Sequence, residues 1–342
     1  MTTIKQVARH AGVSPTTVSN VLHGRNGKIS PQKLKIVQDT IEKYNYAPNM
    51  GARILSHGQS QIIGVITFYE HRSEVNIIHD TFHSELLSAL ESKIRDSQHY
   101  MMLYTVKNYE ECMRVVQSWD IDGLIVVGTS PAQTRQIVKN MTLPVVFIDT
   151  YLYEENEPNY YNVGLDDFGG AKNLTRYLIA HGHRRIAFLA NSDSIIGVDL
   201  ERLKGFEEAH SEQGLPFDVT HIIPLDFHDD SRRKELSALI ESGRLLSFDA
   251  LFFASDYLAV DSMNFLREHA ISTPDMISIV GFDDSVLSRL SNPKLTTVQQ
   301  NVKDKGEKSV DVLLSVIQKN KIKEKNLVLP TQLIKRETVK EI

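Results

Sequence analysis

The sequence predicts a two-part protein: a small all-α helix-turn-helix head, then an α/β body of two parallel-sheet subdomains with a cleft between them. Three observations carry this. Apolar residues in the first 46 positions recur at helical spacing between helix-starting and helix-stopping residues. Basic charge is concentrated in the same stretch: residues 1–60 hold eight Lys/Arg against two acids, +6, so the net −5 of the whole chain leaves −11 for the rest. From about residue 61, short apolar runs alternate with amphipathic segments, the pattern of βαβ units. A length of 342 residues suits two or three domains at roughly 100–200 residues each.

In the head, Ile4, Val7, Ala8 and Ala11 fall on one helical face after a cap at Thr2 or Thr3. Gly12 supplies the left-handed stop, and Val13 returns to the shared core. Ser14 caps a second helix with Pro15 at its first position, which buries Val18, Val21 and Leu22 and ends near Gly24. Ser30 and Pro31 repeat this start for a third helix through Leu34, Val37, Ile41 and Tyr44. Neither serine has Glu or Gln three residues on, so both are simple caps.

Two short helices around an Ala-Gly-Val turn, with a third behind them, form a helix-turn-helix whose second helix, Pro15 to Leu22, enters the major groove of DNA. Its outward residues Pro15, Thr16, Ser19 and Asn20 are of the types that reach base edges or phosphates. Lys5, Arg9 and Lys28 are expected on phosphates, and Thr3, Ser14, Thr17 and His23 complete the candidate contact surface. The competing reading is a three-helix protein-interaction module, which leaves the basic charge and small outward residues without a use.

Residues 47–60 read as a joint: a short helix opened by Pro48 and running to Leu55, then a polar Ser-His-Gly-Gln-Ser linker. So short a helix, with Gly51 inside it, does not hold alone in water. The domains are therefore 1–46, 47–60 and 61–342. In the body, strands are expected over 62–68, 100–106, 124–128, 145–149, 185–190, 221–225, 251–255 and 277–281. Helices are expected over 82–95, 168–181, 231–242 and 256–269. Unalternating Val/Ile/Phe-rich strands are buried on both faces. Some 280 such residues exceed one comfortable core, hence two sheets, with ligands expected beyond the strand C-termini. Polar residues placed there are Asp149, Ser255, Asp256 and Asp283, with Arg202 opening the helix that contains Gly205-Phe206. Carboxylates and a guanidinium converging on a cleft suit sugar hydroxyls.

The run from Val7 to Leu22 closely resembles the DNA-binding head of the LacI/GalR family of bacterial repressors, as does Tyr44-Asn-Tyr-Ala-Pro-Asn49. The likeness continues in Gly182-His-Arg-Arg-Ile186, Arg202-Leu-Lys-Gly-Phe206, Ile279-Val-Gly-Phe-Asp-Asp284 and Pro293-Lys-Leu-Thr-Thr297. Order and spacing make the resemblance strong across nearly the whole chain. It implies a type I periplasmic-binding-protein-like body and a ligand-responsive repressor, a homodimer on a near-palindromic double-stranded operator. It also implies a joint that orders when two protomers pair on DNA, with Leu55 wedged into a base step from the minor groove and Asn49 and Arg53 beside it. Positions matching Arg202, Asp283 and Asp149 contact the effector, and Phe227 is the expected aromatic wall against a sugar ring. Many members carry Arg where this chain has Asn20, and sugar-binding members often carry Asn where it has Ser255. Operator preference and a simple lactose-like or galactose-like ligand therefore do not carry over from the resemblance. The charged loop Tyr69–Asn76 leaves an ionic or acidic-sugar effector open beside a neutral one.

An enzyme is not expected. Gly-x-Ser-x-Gly, Gly-x-x-x-x-Gly-Lys and Gly-x-Gly-x-x-Gly are all absent. His79-Asp-Thr-Phe-His83 has the spacing of a zinc-protease helix, but its acid, Asp80, is a methylene too short for the general base. His181 and His183 flank a helix-ending glycine, and Asp283-Asp284 lacks a further catalytic partner. One cysteine, Cys112, forms no internal disulfide, and no cofactor or metal is expected. No signal segment or 18-residue apolar run is present, so the expectation is a cytoplasmic protein without a membrane partner.

Overall fold

A computed structural model describes residues 2–22, 26–27, 29–46, 60–68, 81–152, 160–191, 195–226 and 228–342. The chain divides into two compact units, 1–60 and 61–342.

Among its described residues the first unit has three helices: α1 (Ile4–Ala11), α2 (Pro15–Leu22) and α3 (Pro31–Lys43). Thr3 starts α1 with a full capping box, its hydroxyl accepting from the Gln6 amide while the Gln6 side chain accepts from the Thr3 amide. Gly12 ends it at φ 65, a conformation that costs glycine nothing. Ser14 accepts from the Thr17 amide at 3.1 Å, and Ser30 from the Lys33 amide at 3.4 Å. Val7, Ala8, Val18, Val21 and Val37 are buried at the centre, with Leu22 and Leu34 half-buried around them.

The second unit holds two parallel sheets. The first has six strands in the order β11-β5-β4-β3-β1-β2: β1 (Ile62–Phe68), β2 (Tyr100–Val106), β3 (Gly123–Val127), β4 (Val145–Ile148), β5 (Asn162–Leu165) and β11 (Asn326–Leu329). The second has four in the order β7-β6-β8-β9: β6 (Ile186–Asn191), β7 (Ile222–Leu225), β8 (Ala250–Phe253) and β9 (Ser278–Val280). A small antiparallel pair joins β10 (Thr297–Gln299) to β12 (Gln332–Ile334). The intervening helices are α4 (Thr81–Asp96), α5 (Tyr109–Ser118), α6 (Pro131–Asn140), α7 (Asp167–Ala180), α8 (Gly197–Glu212), α9 (Asp229–Glu241), α10 (Asp256–Glu268), α11 (Val286–Leu290) and α12 (Val302–Ile317).

The chain crosses from the first sheet to the second after β5, and returns after β10 through α12, which packs on α4 and on β3, β4 and β5. Each lobe is thus built from two separated stretches of sequence. Alternate strand residues feed different cores: Ile63, Val65, Ile125 and Val146 join a cluster running through both lobes to Phe188, Phe206 and Phe252. Ile66, Phe68, Val126 and Phe147 face the opposite side of the first sheet. The helices α7 and α8 pack so closely that a Cβ on Gly205 would lie 2.2 Å from the Phe168 carbonyl oxygen, so only glycine fits there.

The structure departs from expectation at several elements. β2 is an edge strand with Tyr100, Leu103, Tyr104 and Thr105 exposed, not buried on both faces. Strands β5, β10, β11 and β12 have three or four residues with polar positions among them, too short to show a period. Helices α5, α6, α11 and α12 lie outside the expected set, and α8, expected to open at Arg202, begins at Gly197. Among the described residues no helix is long and apolar enough to cross a membrane.

Candidate functional site

On the head, the candidate contacts fall into two kinds. Ser14 and Thr17 satisfy each other, their hydroxyls 2.9 Å apart, so both serve first to start α2. Pro15 and Thr16 are exposed and Ser19 and Asn20 half-buried on the same short helix, while Thr3 and Lys5 are exposed at the start of α1. His10 stacks on Tyr44 with ring centroids 4.5 Å apart, tying α1 to the end of α3. His23, Lys28, Asn49, Arg53 and Leu55, together with the hinge helix expected from Pro48, lie outside the described residues.

In the body, a ring of polar side chains joins the two lobes. It begins at Asp149, directly after β4, held at φ 54. Lys305 of α12, only 1% exposed, donates to both Asp149 carboxylate oxygens, at 2.8 and 2.6 Å. A third donation goes to Gln300 Oε1 at 2.7 Å. The Gln300 amide in turn donates to Asp283 Oδ1 at 2.6 Å. Asp283 follows β9 at φ 135, and its backbone is pinned by an amide donation to the Val298 carbonyl and an acceptance from the Gln300 amide. Non-glycine residues held at such φ values cost about 1–3 kcal/mol and persist only where neighbours over-determine them. Arg202 approaches Asp283 at 4.0 Å and donates through Nε to Asp167 Oδ1 at 2.7 Å and through Nη1 to the Ala254 carbonyl. Its guanidinium carbon lies over Phe282, 3.8 Å from the ring centroid. The Tyr151 hydroxyl closes the circuit by donating to Asp167, two residues from where the ring began.

Burial and charge work against each other throughout this ring. For Asp149, burial outweighs the adjacent Lys305 and holds the carboxyl above its usual range. Burial opposes the charge of Arg202, but Asp167 and Asp283 hold it protonated above its ordinary value. Burial and the neighbouring Asp167 push the Tyr151 phenol up, so it acts as a donor. The result is a preformed set of donors and acceptors at the strand ends of both lobes, suited to hydroxyls. Among the described residues no group of His, Cys, Asp and Glu is arranged to hold a metal ion.

The expected residues divide accordingly. Asp149, Arg202 and Asp283 converge on the ring. Arg202 sits in the second turn of α8, which starts at Gly197, and does not open the helix as expected. Ser255, half-buried at the end of β8, caps α10 by accepting from the Leu258 amide at 3.3 Å. Asp256 is fully buried and braces the second lobe, accepting from the Thr297 hydroxyl at 2.6 Å and the Ser285 amide at 2.8 Å. Phe227 lies outside the described residues, as do His79 and the loop 69–76.

Asp167, Tyr151, Gln300 and Lys305 were not anticipated. A signal existed for one of them: Lys305 falls on the otherwise small and apolar face Val302, Gly306, Ser309, Val310 and Leu313. The enzyme-like pairs dissolve in three dimensions. Asp283 turns to Gln300, whereas Asp284 binds Arg336 and Gln299. His181 bonds the Tyr177 carbonyl at a helix end, and His183 is buried.

Residues 3–49 match the family model for bacterial regulatory proteins of the lacI family, and residues 175–339 match the periplasmic binding protein-like domain. The chain is 30% identical to the ribose operon repressor of Halalkalibacterium halodurans, over 99% of this chain and 98% of that one. It is 29% identical to the HTH-type transcriptional regulator DegA of Bacillus subtilis, over 98% of this chain and 97% of that one. Among solved structures, the CelR–cellobiose complex superposes with a TM-score of 0.72 at 25% identity, covering 99% of this chain and all of that one. The Lac repressor bound to ONPG in its repressed state superposes with a TM-score of 0.82 at 25% identity, covering 99% of each chain. A helix-turn-helix head, a two-lobed parallel-sheet body and relatives that match from end to end lead to one conclusion: the chain belongs to the LacI family of bacterial regulatory proteins, a DNA-binding transcriptional regulator and not an enzyme.

Proposed function

We propose that the protein is a cytoplasmic repressor whose operator affinity is controlled by a small effector, a sugar or sugar derivative, bound at the polar ring of the body. The observation that carries this is the ring itself. Asp149 and Asp283 follow strands of the two lobes, Arg202 comes from the second turn of α8, and together at the junction of the lobes they present carboxylate and guanidinium edges that match hydroxyl pairs. The ribose operon repressor among its relatives and the cellobiose complex among its structural neighbours support that ligand class.

Two protomers pair as a homodimer and set their α2 helices in successive major-groove half-sites of a near-palindromic operator. Thr3, Lys5, Pro15, Thr16, Ser19, Asn20 and His23 make the contacts, and Asn49, Arg53 and Leu55 of the 47–60 joint enter the minor groove between half-sites. Effector binding biases the angle between lobes and so the pairing of the joints. The coupling equals its differential affinity for the two closures, typically about 1–3 kcal/mol.

The test is selection of bound sequences from a randomised duplex pool by the full-length protein, with and without ribose and cellobiose. Enrichment of a two-fold-symmetric site, altered in yield by one of the sugars, is expected. Recovery of unrelated sequences with one common salt dependence overturns the repressor reading.

A further inference from the structure

The two cations of the ring are already committed. Lys305 has three ammonium protons and three acceptors within 2.8 Å, two of them on Asp149. Arg202 gives Nε to Asp167 and Nη1 to the Ala254 carbonyl, and its single charge is shared between Asp167 and Asp283, which Nη2 approaches at 4.0 Å. By formal charge these two cations face three carboxylates, Asp149, Asp167 and Asp283. An acidic ligand gains Lys305 only by drawing it off Asp149, and gains Arg202 only by competing with Asp167 and Asp283 for one guanidinium charge. Drawing Lys305 away strands the Asp149 carboxylate, whose side chain is 12% exposed. Breaking a buried pair in this way is far more costly than the pair is worth when intact. A polyol meets no such penalty, because its hydroxyls donate to carboxylates that keep their counter-charges.

We propose that Lys305 is a specificity-determining residue: by holding Asp149 it restricts the site to uncharged polyhydroxy ligands and rejects the corresponding acids and phosphate esters. The inference rests on the sugar-effector reading above and narrows it. Lys305 reaches the site from α12, on the return crossover, and its neighbour in the ring, Gln300, passes the constraint to Asp283 in the other lobe. Of the two effector classes compatible with the charged loop 69–76, the ring favours the neutral one.

The experiment is calorimetric titration of the full chain with three matched pairs: ribose and ribose 5-phosphate, glucose and glucuronate, cellobiose and cellobionate. The expected result is binding of at least one neutral sugar, with its charged counterpart at least about tenfold weaker. Asp149→Asn frees the ammonium and shifts the preference within that pair about tenfold or more toward the acid. Adding Lys305→Met to Asp149→Asn restores the neutral preference, which mere loss of packing at Asp149 does not predict. Asp149→Ser makes the same test if the asparagine variant does not fold. A wild-type preference for the acid, or an Asp149 variant that binds the neutral sugar with unchanged discrimination, overturns the role of Lys305 while leaving the sugar effector standing. Binding of none of the six by the folded protein overturns the sugar reading, and this inference with it.

Discussion

Replacing Arg202 with Met tests how far the ring supports the body as well as binding within it. Arg202 and Asp167 are 6% and 0% exposed and meet at 2.7 Å, so the substitution leaves a carboxylate in the interior with the Tyr151 hydroxyl for company. Removing one partner of a buried pair costs about 3–5 kcal/mol, because the remaining charge keeps its desolvation penalty and loses its compensation. Met preserves much of the contact with Phe282 and forfeits the cation–π share, about 1–2 kcal/mol at a desolvated site. The loss expected for R202M is therefore about 4 kcal/mol, a large fraction of the stability of any domain. Asp167→Asn removes the stranded charge, so the double variant R202M/D167N should recover at least about 2 kcal/mol relative to the sum of the single losses. Urea unfolding followed by Trp119 fluorescence measures this cleanly, since the single tryptophan lies in the body and does not report on the head. Strict additivity, or an R202M loss below about 1 kcal/mol, would falsify the account of the ring as a charge-balanced unit.

Other consequences follow from individual contacts. Gly205→Ala places a methyl against the Phe168 carbonyl oxygen and should destabilise the body by about 2 kcal/mol or more, measured by the same unfolding assay. His210 is fully buried, its Nε2 without a partner and its Nδ1 on the Phe206 carbonyl, and burial holds its pKa below the ordinary 6.5. Its folded pKa is the lowered one, so its share of stability is whole above about pH 6.5 and falls as the solution is acidified, by up to about 1.4 kcal/mol per pH unit. His210→Phe should flatten that part of the profile between pH 6.5 and 5, and an unchanged slope removes His210 as its source. Lys5→Ala should weaken binding to all duplexes and reduce the salt slope by about 1, whereas Asn20→Ala should cost about 1–3 kcal/mol on the selected operator and relax preference at one base pair.

What was legible in the sequence was local or periodic. Caps and stops act within a few residues of themselves, so Ser14-Pro15, Ser30-Pro31 and Gly12 mark the head helices before any tertiary contact is known. Apolar runs report strands directly, and β1 and β2 fall over the residues expected of them, although β2 lies at the sheet edge with more than half its residues exposed. The chain order of runs and amphipathic segments likewise reports a parallel two-sheet body. Identity of partners is another matter. Asp149 and Asp256 look alike in sequence, each a carboxylate just past an apolar strand, yet one reaches the ring and the other is buried as a brace under Thr297 and Ser285. Burial patterns say that a side chain is inside and nothing about what it meets there. Lys305 finds Asp149 across 156 residues of sequence because the return crossover lays α12 behind β4, and Arg202 finds Asp167 because Gly205 lets α8 settle onto α7. Sequence alone determined the family of helices and strands and the basic head. Which charges balance which was decided only by the tertiary fold, since ion pairing depends on the path of the crossovers, and that path is set by packing between elements rather than by the propensities within them.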